Sequence, residues 1–455
     1  MMAMSTDNIH KIKHLYSRAA FGLPLAMAHD KTPVPRAVRQ LFAQSREAAP
    51  LAVMQANELF AGKEMRKAAK TTEPADRTEK AKAMIREKAE DMRALNLAWL
   101  DRTVGGEAAL REKMTLFWHG HFACRNLNAF FAQQLNNAIR THALGKFGGL
   151  LRAVSKEAAM LAFLNNRQNR KDSPNENFAR EVMELFTLGR GNYTEQDIKN
   201  AARAFTGWQF RPDGTFFFNE RQHDDGEKTF FGKTGRFTGD DILNALLENR
   251  QTARFVTTKI YQFFVNDQPD ALIINQLADD FYASGYDIAR LMERIFTADW
   301  FYAPANVGNR VKSPVELLVG LQQTFGVRFA EPQSRVFIQK VLGQQLFFPP
   351  SVAGWPQGRN WIDSSSLLFR MRLPQMVFAA AETRTEAKDD GDVATADTKR
   401  PGKTLQATTD WPTFAAAFGR ANDQNLPKTL ADFLLPAPLA AQQQDFVKRN
   451  ANTGS

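Results

Sequence analysis

Arg111-Glu112-Lys113-Met114-Thr115-Leu116-Phe117-Trp118-His119-Gly120-His121-Phe122 is the segment whose reading decides the fold class. Met114, Phe117, Trp118 and His121 stand at i, i+3, i+4 and i+7, the spacing of one buried stripe on an α-helix. Downstream the same period continues and predicts helices over 126–144, 147–164, 175–188 and 194–206. Upstream, residues 52–102 are rich in Ala, Glu, Lys, Arg and Met, which favour helix strongly. Thr71-Thr72-Glu73-Pro74 divides them into two long helices. Residues 10–48 read as short helices broken at Gly22-Leu23-Pro24 and Pro33-Val34-Pro35.

Only one stretch changes period. Trp208-Gln209-Phe210, the turn Arg211-Pro212-Asp213-Gly214 and Thr215-Phe216-Phe217-Phe218 predict a small β-hairpin near 208–218. A polar loop follows to Gly239, with Asp240 expected to cap the next helix. Helices resume over 240–247, 251–265, 270–283 and 287–297. Ser313-Pro314-Val315-Glu316 places Ser at N-cap, Pro at N1 and Glu at N3, a strong helix start. Phe347 to Gly358 is too rich in Pro and Gly for helix, and a last good helix begins at Asp363. The expected fold is mainly α: a large bundle-like multi-helix body over 8–380 with one hairpin. Residues 381–409, charged and small, are expected to form a disordered insertion or flexible linker, and 410–455 a weakly structured tail.

Composition narrows the function classes. The chain has 36 Phe against 6 Tyr, so its rings serve a thick apolar interior. Net charge is +10, yet no basic run is interleaved with aromatics, so no clear nucleic-acid surface is read from it. A single cysteine, Cys124, rules out an intrachain disulfide. No apolar stretch approaches the length of a membrane span, and the start lacks the pattern of a signal peptide. The chain is expected to be cytoplasmic, or exported together with a partner.

Four segments could carry chemistry. His119 and His121, two apart, point about 200° from each other on a continuous helix, so joint metal binding needs a break at Gly120. His121 falls on the apolar stripe and reads equally well as a core histidine. In Asn175 to Gly189, Glu181 lies on the inward face with Phe178, Val182 and Leu185. A carboxylate there must be paired, metal-bound or protonated. Gln222-His223-Asp224-Asp225 adds a weaker loop signal, and Pro349 to Trp361 a rigid loop suited to packing. The sharpest expectation is one buried pocket in which His121 and Glu181 converge, with His119 and His223 at its rim. His119, His121 and Glu181 would ligate a divalent metal, and all four residues would serve a hydrolytic centre.

Phe117-Trp118-His119-Gly120-His121-Phe122, Asn175 to Gly189 with Asn192-Tyr193-Thr194, and Ala204-Phe205-Thr206-Gly207-Trp208 resemble the signatures of one bacterial family. So do Lys312-Ser313-Pro314-Val315-Glu316 and Pro349-Pro350 to Trp361. It is the family called domain of unknown function 1800, and the resemblance runs from His14 to about Pro374. The family has no settled activity, so the resemblance assigns no catalytic residue. It does imply a neighbour: members are often encoded beside sulfatase-like proteins of the domain of unknown function 1501 family. Three readings stay open: a metal-dependent hydrolase on the polar residues above, a non-catalytic binding or maturation partner of such a sulfatase-like enzyme, or a structural or surface-assembly protein.

Overall fold

Short polar motifs set where many of the helices begin. Ser313 and Thr194 each accept the N–H three residues on while Glu316 and Asp197 return the bond, closing two capping boxes. Asn128, Asp270 and Asp287 cap by side chain alone. The computed structural model describes residues 6–55, 74–378, 405–419, 426–437 and 439–451. The first helices are α1 (Thr6–Ala19), α2 (Val34–Gln44), α3 (Pro74–Gly105), α4 (Ala109–His121) and α5 (Ala129–His142). Then come α6 (Phe147–Lys156), α7 (Ala158–Phe163) and α8 (Asn177–Glu181), which a π-helical turn, Val182–Thr187, continues. After α9 (Glu195–Ala204) follow β1 (Trp208–Phe210) with β2 (Phe216–Phe218), and β3 (Lys228–Phe230) with β4 (Lys233–Gly235).

The second half holds α10 (Gly239–Glu248), α11 (Arg250–Phe264), α12 (Ala271–Ala283) and α13 (Ile288–Thr297). Next are α14 (Pro314–Phe325), β5 (Arg328–Phe329), α15 (Gln333–Leu342) and α16 (Ser364–Phe378). β6 (Ala407–Thr408), α17 (Trp411–Phe418), α18 (Leu426–Leu434) and α19 (Ala441–Ala451) complete the described elements. The fold is mainly α, as the periodicity predicts. Among the described residues every sheet is a two-stranded antiparallel ribbon. None of the described helices is long and apolar enough to cross a membrane.

Two apolar cores share a wall. One gathers α1, α2, α5 to α13 and the inward side of α4, around Phe117, Trp118, Phe147, Phe178 and Phe186. The other packs α3, α14, α15 and α16 around Trp99, Leu318, Phe347 and Phe369, with Leu116 from α4. α4 separates them, and every residue from Leu110 to His119 is buried. Burying a large apolar side chain is worth about 1.5–3 kcal/mol, so Met114, Phe117 and Trp118 fix this helix firmly.

Several expectations change. The single helix over 147–164 is two, because Glu157 adopts an extended backbone between α6 and α7. The helix over 175–188 turns π at Val182. Asp240 pairs with Lys156 at 2.9 Å, and Thr238 takes the N-cap instead. The polar loop after the hairpin contains a second ribbon, β3–β4, whose turn at Phe231 and Gly232 has positive φ at both residues. Asn-Gly or Asp-Gly announces such a turn in a sequence, and Phe-Gly does not. Most of the expected 381–409 linker, and the first of the two helices before Pro74, fall outside the described residues. The linker's last residues are held by the body: Leu405 is buried and Ala407–Thr408 pairs with β5. In the expected tail, Phe414, Phe418 and Phe433 are buried against the first core.

Candidate functional site

The two histidines of α4 enter different cores, as their two-residue spacing requires. His119 is 2% exposed, ringed by Trp99, Phe347 and Trp355, with centroids 5.1–5.2 Å away. Its Nε2 accepts the Phe347 N–H at 3.1 Å, so that lone pair is used and the ring proton sits on Nδ1. Burial, reinforced by Arg140, pushes its pKa down to about 3. His121 packs among Phe117, Trp118, Phe122 and Phe186, and its Nε2–H donates to the Phe186 carbonyl at 3.0 Å. Burial pushes His121 down to about 3 as well, against the raising effect of that hydrogen bond. Both rings are neutral at physiological pH. The His121 bond also serves the backbone, since it satisfies a carbonyl in the π turn.

Glu181 ends α8 and is partly exposed. Burial and the neighbouring Glu184 raise its pKa, opposed by Arg180 and Arg190. The charge that acts on His121 is a different one, Lys259. His223 lies on the loop after β2, its Nδ1–H donating to the Thr206 carbonyl at 3.0 Å and its Nε2 4.0 Å from Asp225. Among the described residues no group of three His, Cys, Asp or Glu side chains could hold a metal ion. His119 and His121 each hold a backbone group instead, the N–H of Phe347 and the carbonyl of Phe186. His119, His121 and Glu181 therefore form no joint ligand set, and at His119 the nitrogen that accepts the Phe347 N–H is closed to a metal.

A denser polar cluster forms where α1, α4, α14 and α16 meet. Glu316, at N3 of α14, accepts the Ser313 N–H at 2.7 Å in the capping box. Its other oxygen accepts the Lys113 ammonium from α4, and Lys113 also donates to the Ala20 carbonyl at 2.7 Å. Arg310 Nη2 stands 3.7 Å from Glu316. Burial works to raise the Glu316 pKa, but Lys113 and Arg310 overcome it and hold the carboxyl well below the usual range. Burial pushes Lys113 down to about 8, with Glu316 acting to raise it. Arg18 donates to the Asn306 carbonyl at 2.8 Å and to Asn309 at 2.5 Å. Arg370 of α16 donates through Nη1 to the Lys312 carbonyl at 2.9 Å.

Charge in this cluster is unbalanced. Arg18, Lys113, Arg310, Lys312 and Arg370 all act electrostatically with Glu316, and Asp267 is the further carboxylate felt by Arg18. Arg310 Nε and Arg370 Nε and Nη2 are shielded from solvent and find no acceptor in the protein. Lys312 is exposed, although the surrounding protein lowers its pKa by desolvation. Two glycines of the Pro/Gly/Trp loop close the region. Gly358 (φ +58) lies against Asp267, whose carboxylate stands 2.3 Å from where a Cβ would be. Gly354 (φ +82) seats on the Gly120 carbonyl of α4 in the same way, at 2.4 Å. Sequence reading missed Arg18, Lys113, Arg310 and Arg370. A signal for one existed, since Lys113 lies four residues before Phe117 and beside the apolar stripe.

A cavity of about 360 Å³ opens elsewhere, between α5, the α6–α7 junction and the β1–β2 turn. Glu157 and Asp213 line it with Phe131 and Phe216. Burial pushes Glu157 up to about 7.

One comparison with known proteins gives a family, and none gives an activity. No curated protein and no solved structure matches the chain. Residues 14–455 match the family model described as a protein of unknown function (DUF1800). The resemblance read from the motifs thus extends over nearly the whole sequence, and the chain belongs to the DUF1800 family.

Proposed function

We propose that this protein recognises an oxyanion, a sulfate, phosphate or carboxylate group, at the cationic cluster around Glu316, and acts as a binding partner. The observation that carries this is the three guanidinium N–H groups of Arg310 and Arg370 without a protein acceptor, beside five cations that face two carboxylates. Buried donors are ordinarily satisfied, and arginine's planar fork matches oxyanions above all other ligands. Exposed Lys312 marks the side from which an anion approaches. A metal-dependent hydrolase built on His119, His121, Glu181 and His223 is the less supported reading, because among the described residues no three His, Cys, Asp or Glu side chains gather to hold a metal. The partner reading gains from the ligand chemistry: a sulfatase-like enzyme, the neighbour implied by the family resemblance, acts on an ester of the same oxyanion class.

Thermal unfolding in sulfate or phosphate, against chloride at equal ionic strength, tests the proposal. A specific site adds about 2.7 kcal/mol when the anion is at a hundred times its Kd. Lys312→Gln and Arg370→Gln should abolish that increment. Equal stability in all three salts, or an increment that survives both substitutions, would sink it.

A further inference from the structure

The break between α6 and α7 leaves one carboxyl without a structural partner. Glu157 takes an extended backbone at the N-cap of α7, yet its side chain caps no N–H there. Burial alone raises its pKa, and among the described residues no cation or hydrogen-bond donor offsets that. A carboxyl desolvated without a partner lowers stability once it ionises. Groups held in that condition beside a cavity are where ligands are found.

Glu157 lines the cavity of about 360 Å³ between α5, the α6–α7 junction and the β1–β2 turn. That volume lies in the range of small-molecule sites. Phe131 and Phe216, with Ala153 and Ala158, supply its apolar lining. Gly214 (φ +88) lets the turn come down on Phe131, since a Cβ there would stand 3.0 Å from the ring. Asp213 brings a second carboxyl, which the Thr215 N–H at 2.9 Å helps to hold below its ordinary pKa.

The charges of the walls select the ligand. Lys156 is the cation of the lining, and both oxygens of Asp240 neutralise it at 2.9 Å. Its ammonium lies over Trp208 and Phe216, 5.2 and 5.4 Å from the ring centroids, so an aromatic wall here already holds a cation. α5 adds Gln134 and no charge, and Arg211, which acts on Asp213, lies over Phe217. In a chain of net charge +10 this cavity therefore offers carboxyl groups in excess. Two carboxyls fall short of the roughly six oxygen ligands that a hard metal ion takes. Carboxylate beside phenyl rings and methyl groups suits an ammonium with hydrocarbon attached.

We infer that this cavity binds a small organic ammonium ion, with its N–H groups on the Glu157 carboxylate and its hydrocarbon part against Phe131 and Phe216. Asp213, exposed on the turn, adds electrostatic attraction. The site shares no residue with the cationic cluster at Glu316, so either can fail without the other.

Isothermal titration calorimetry of the full chain with benzylammonium tests it, with benzyl alcohol as the neutral isostere. Benzylammonium should bind saturably, and the alcohol roughly tenfold more weakly or not at all. Only ionised Glu157 attracts the cation, and its pKa in the empty cavity is about 7. Affinity should therefore rise about tenfold from pH 6 to pH 8, a range in which the amine keeps its proton. That profile is read on the wild type and depends on no variant. Glu157→Gln keeps the side-chain shape and breaks no hydrogen bond with the protein. It should lose roughly tenfold or more in affinity at pH 8 and flatten the pH profile. Asp213→Asn, which keeps an acceptor for the Thr215 N–H, should give a smaller loss at both pH values. A wild type that does not bind benzylammonium saturably, or binds the alcohol equally well, overturns the inference. So does affinity that stays flat from pH 6 to pH 8, or a Glu157→Gln protein that binds as the wild type does.

Discussion

α4 and the first turn of α14 both bury polar groups, with opposite results. On α4, His119 and His121 each meet a backbone partner and are otherwise wrapped in aromatic rings. At the start of α14, Glu316 is the focus of more cations than it can neutralise, and guanidinium donors are left over. An imidazole held to a backbone group works as an anchor. Unspent donors under excess positive charge gain from a ligand. Burial of a reactive residue type is thus a poor guide to function by itself, and satisfaction of its hydrogen bonds is a better one.

The largest expected effect tests the α14 side. Glu316→Ala removes the carboxylate between Lys113 and Arg310 and leaves Lys113 uncompensated in the interior, where it is fully buried. Urea unfolding should show a loss of about 3–5 kcal/mol. A loss below about 1 kcal/mol, the size of a surface pair, would mean that water reaches the Lys113–Glu316 pair.

Next comes the histidine side. His121→Ala deletes a ring among phenylalanines and leaves the Phe186 carbonyl without its donor. The expected cost is about 2–4 kcal/mol, a cavity plus an unmet hydrogen bond. Metal content by native mass spectrometry should be the same before and after the substitution. A stoichiometric metal lost on His121→Ala would break the comparison and restore the hydrolase reading.

Glu157 lies outside both regions and gives a pH test. Its folded pKa is pushed up to about 7 by burial, above its unfolded value, so the folded state holds the proton more tightly. The resulting cost is absent at pH 4, develops as pH rises between the unfolded value and 7, and is complete above 7. Glu157→Gln should therefore stabilise by about 1–2 kcal/mol at pH 8 and leave stability unchanged at pH 4. A gain of equal size at both pH values would assign the effect to packing. The smallest stability effect is expected from Lys312→Gln, within about 0.5 kcal/mol, since exposed substitutions rarely do more. That small change beside a lost anion response would separate ligand binding from folding most cleanly.

The sequence by itself determined what depends on near neighbours along the chain. Helical period placed α4, α5 and α9 to α13, and capping chemistry placed the start of α14 at Ser313. Alternation and a Pro-Asp-Gly turn placed β1–β2. The opposed directions of His119 and His121 were also legible, because a two-residue step on a helix fixes them. The tertiary structure decided the break at Glu157 and the Phe231-Gly232 turn, neither of which carries a local signal. It decided, too, that His121 meets a carbonyl of the π turn while Glu181 feels its own neighbours Glu184, Arg180 and Arg190. Arg18, Lys113, Glu316 and Arg370 come from four elements spread over 350 residues, and only packing brings their charges together. Periodicity says which face of a helix turns inward. Which faces then meet depends on the fit of whole surfaces, and no window of sequence contains that information.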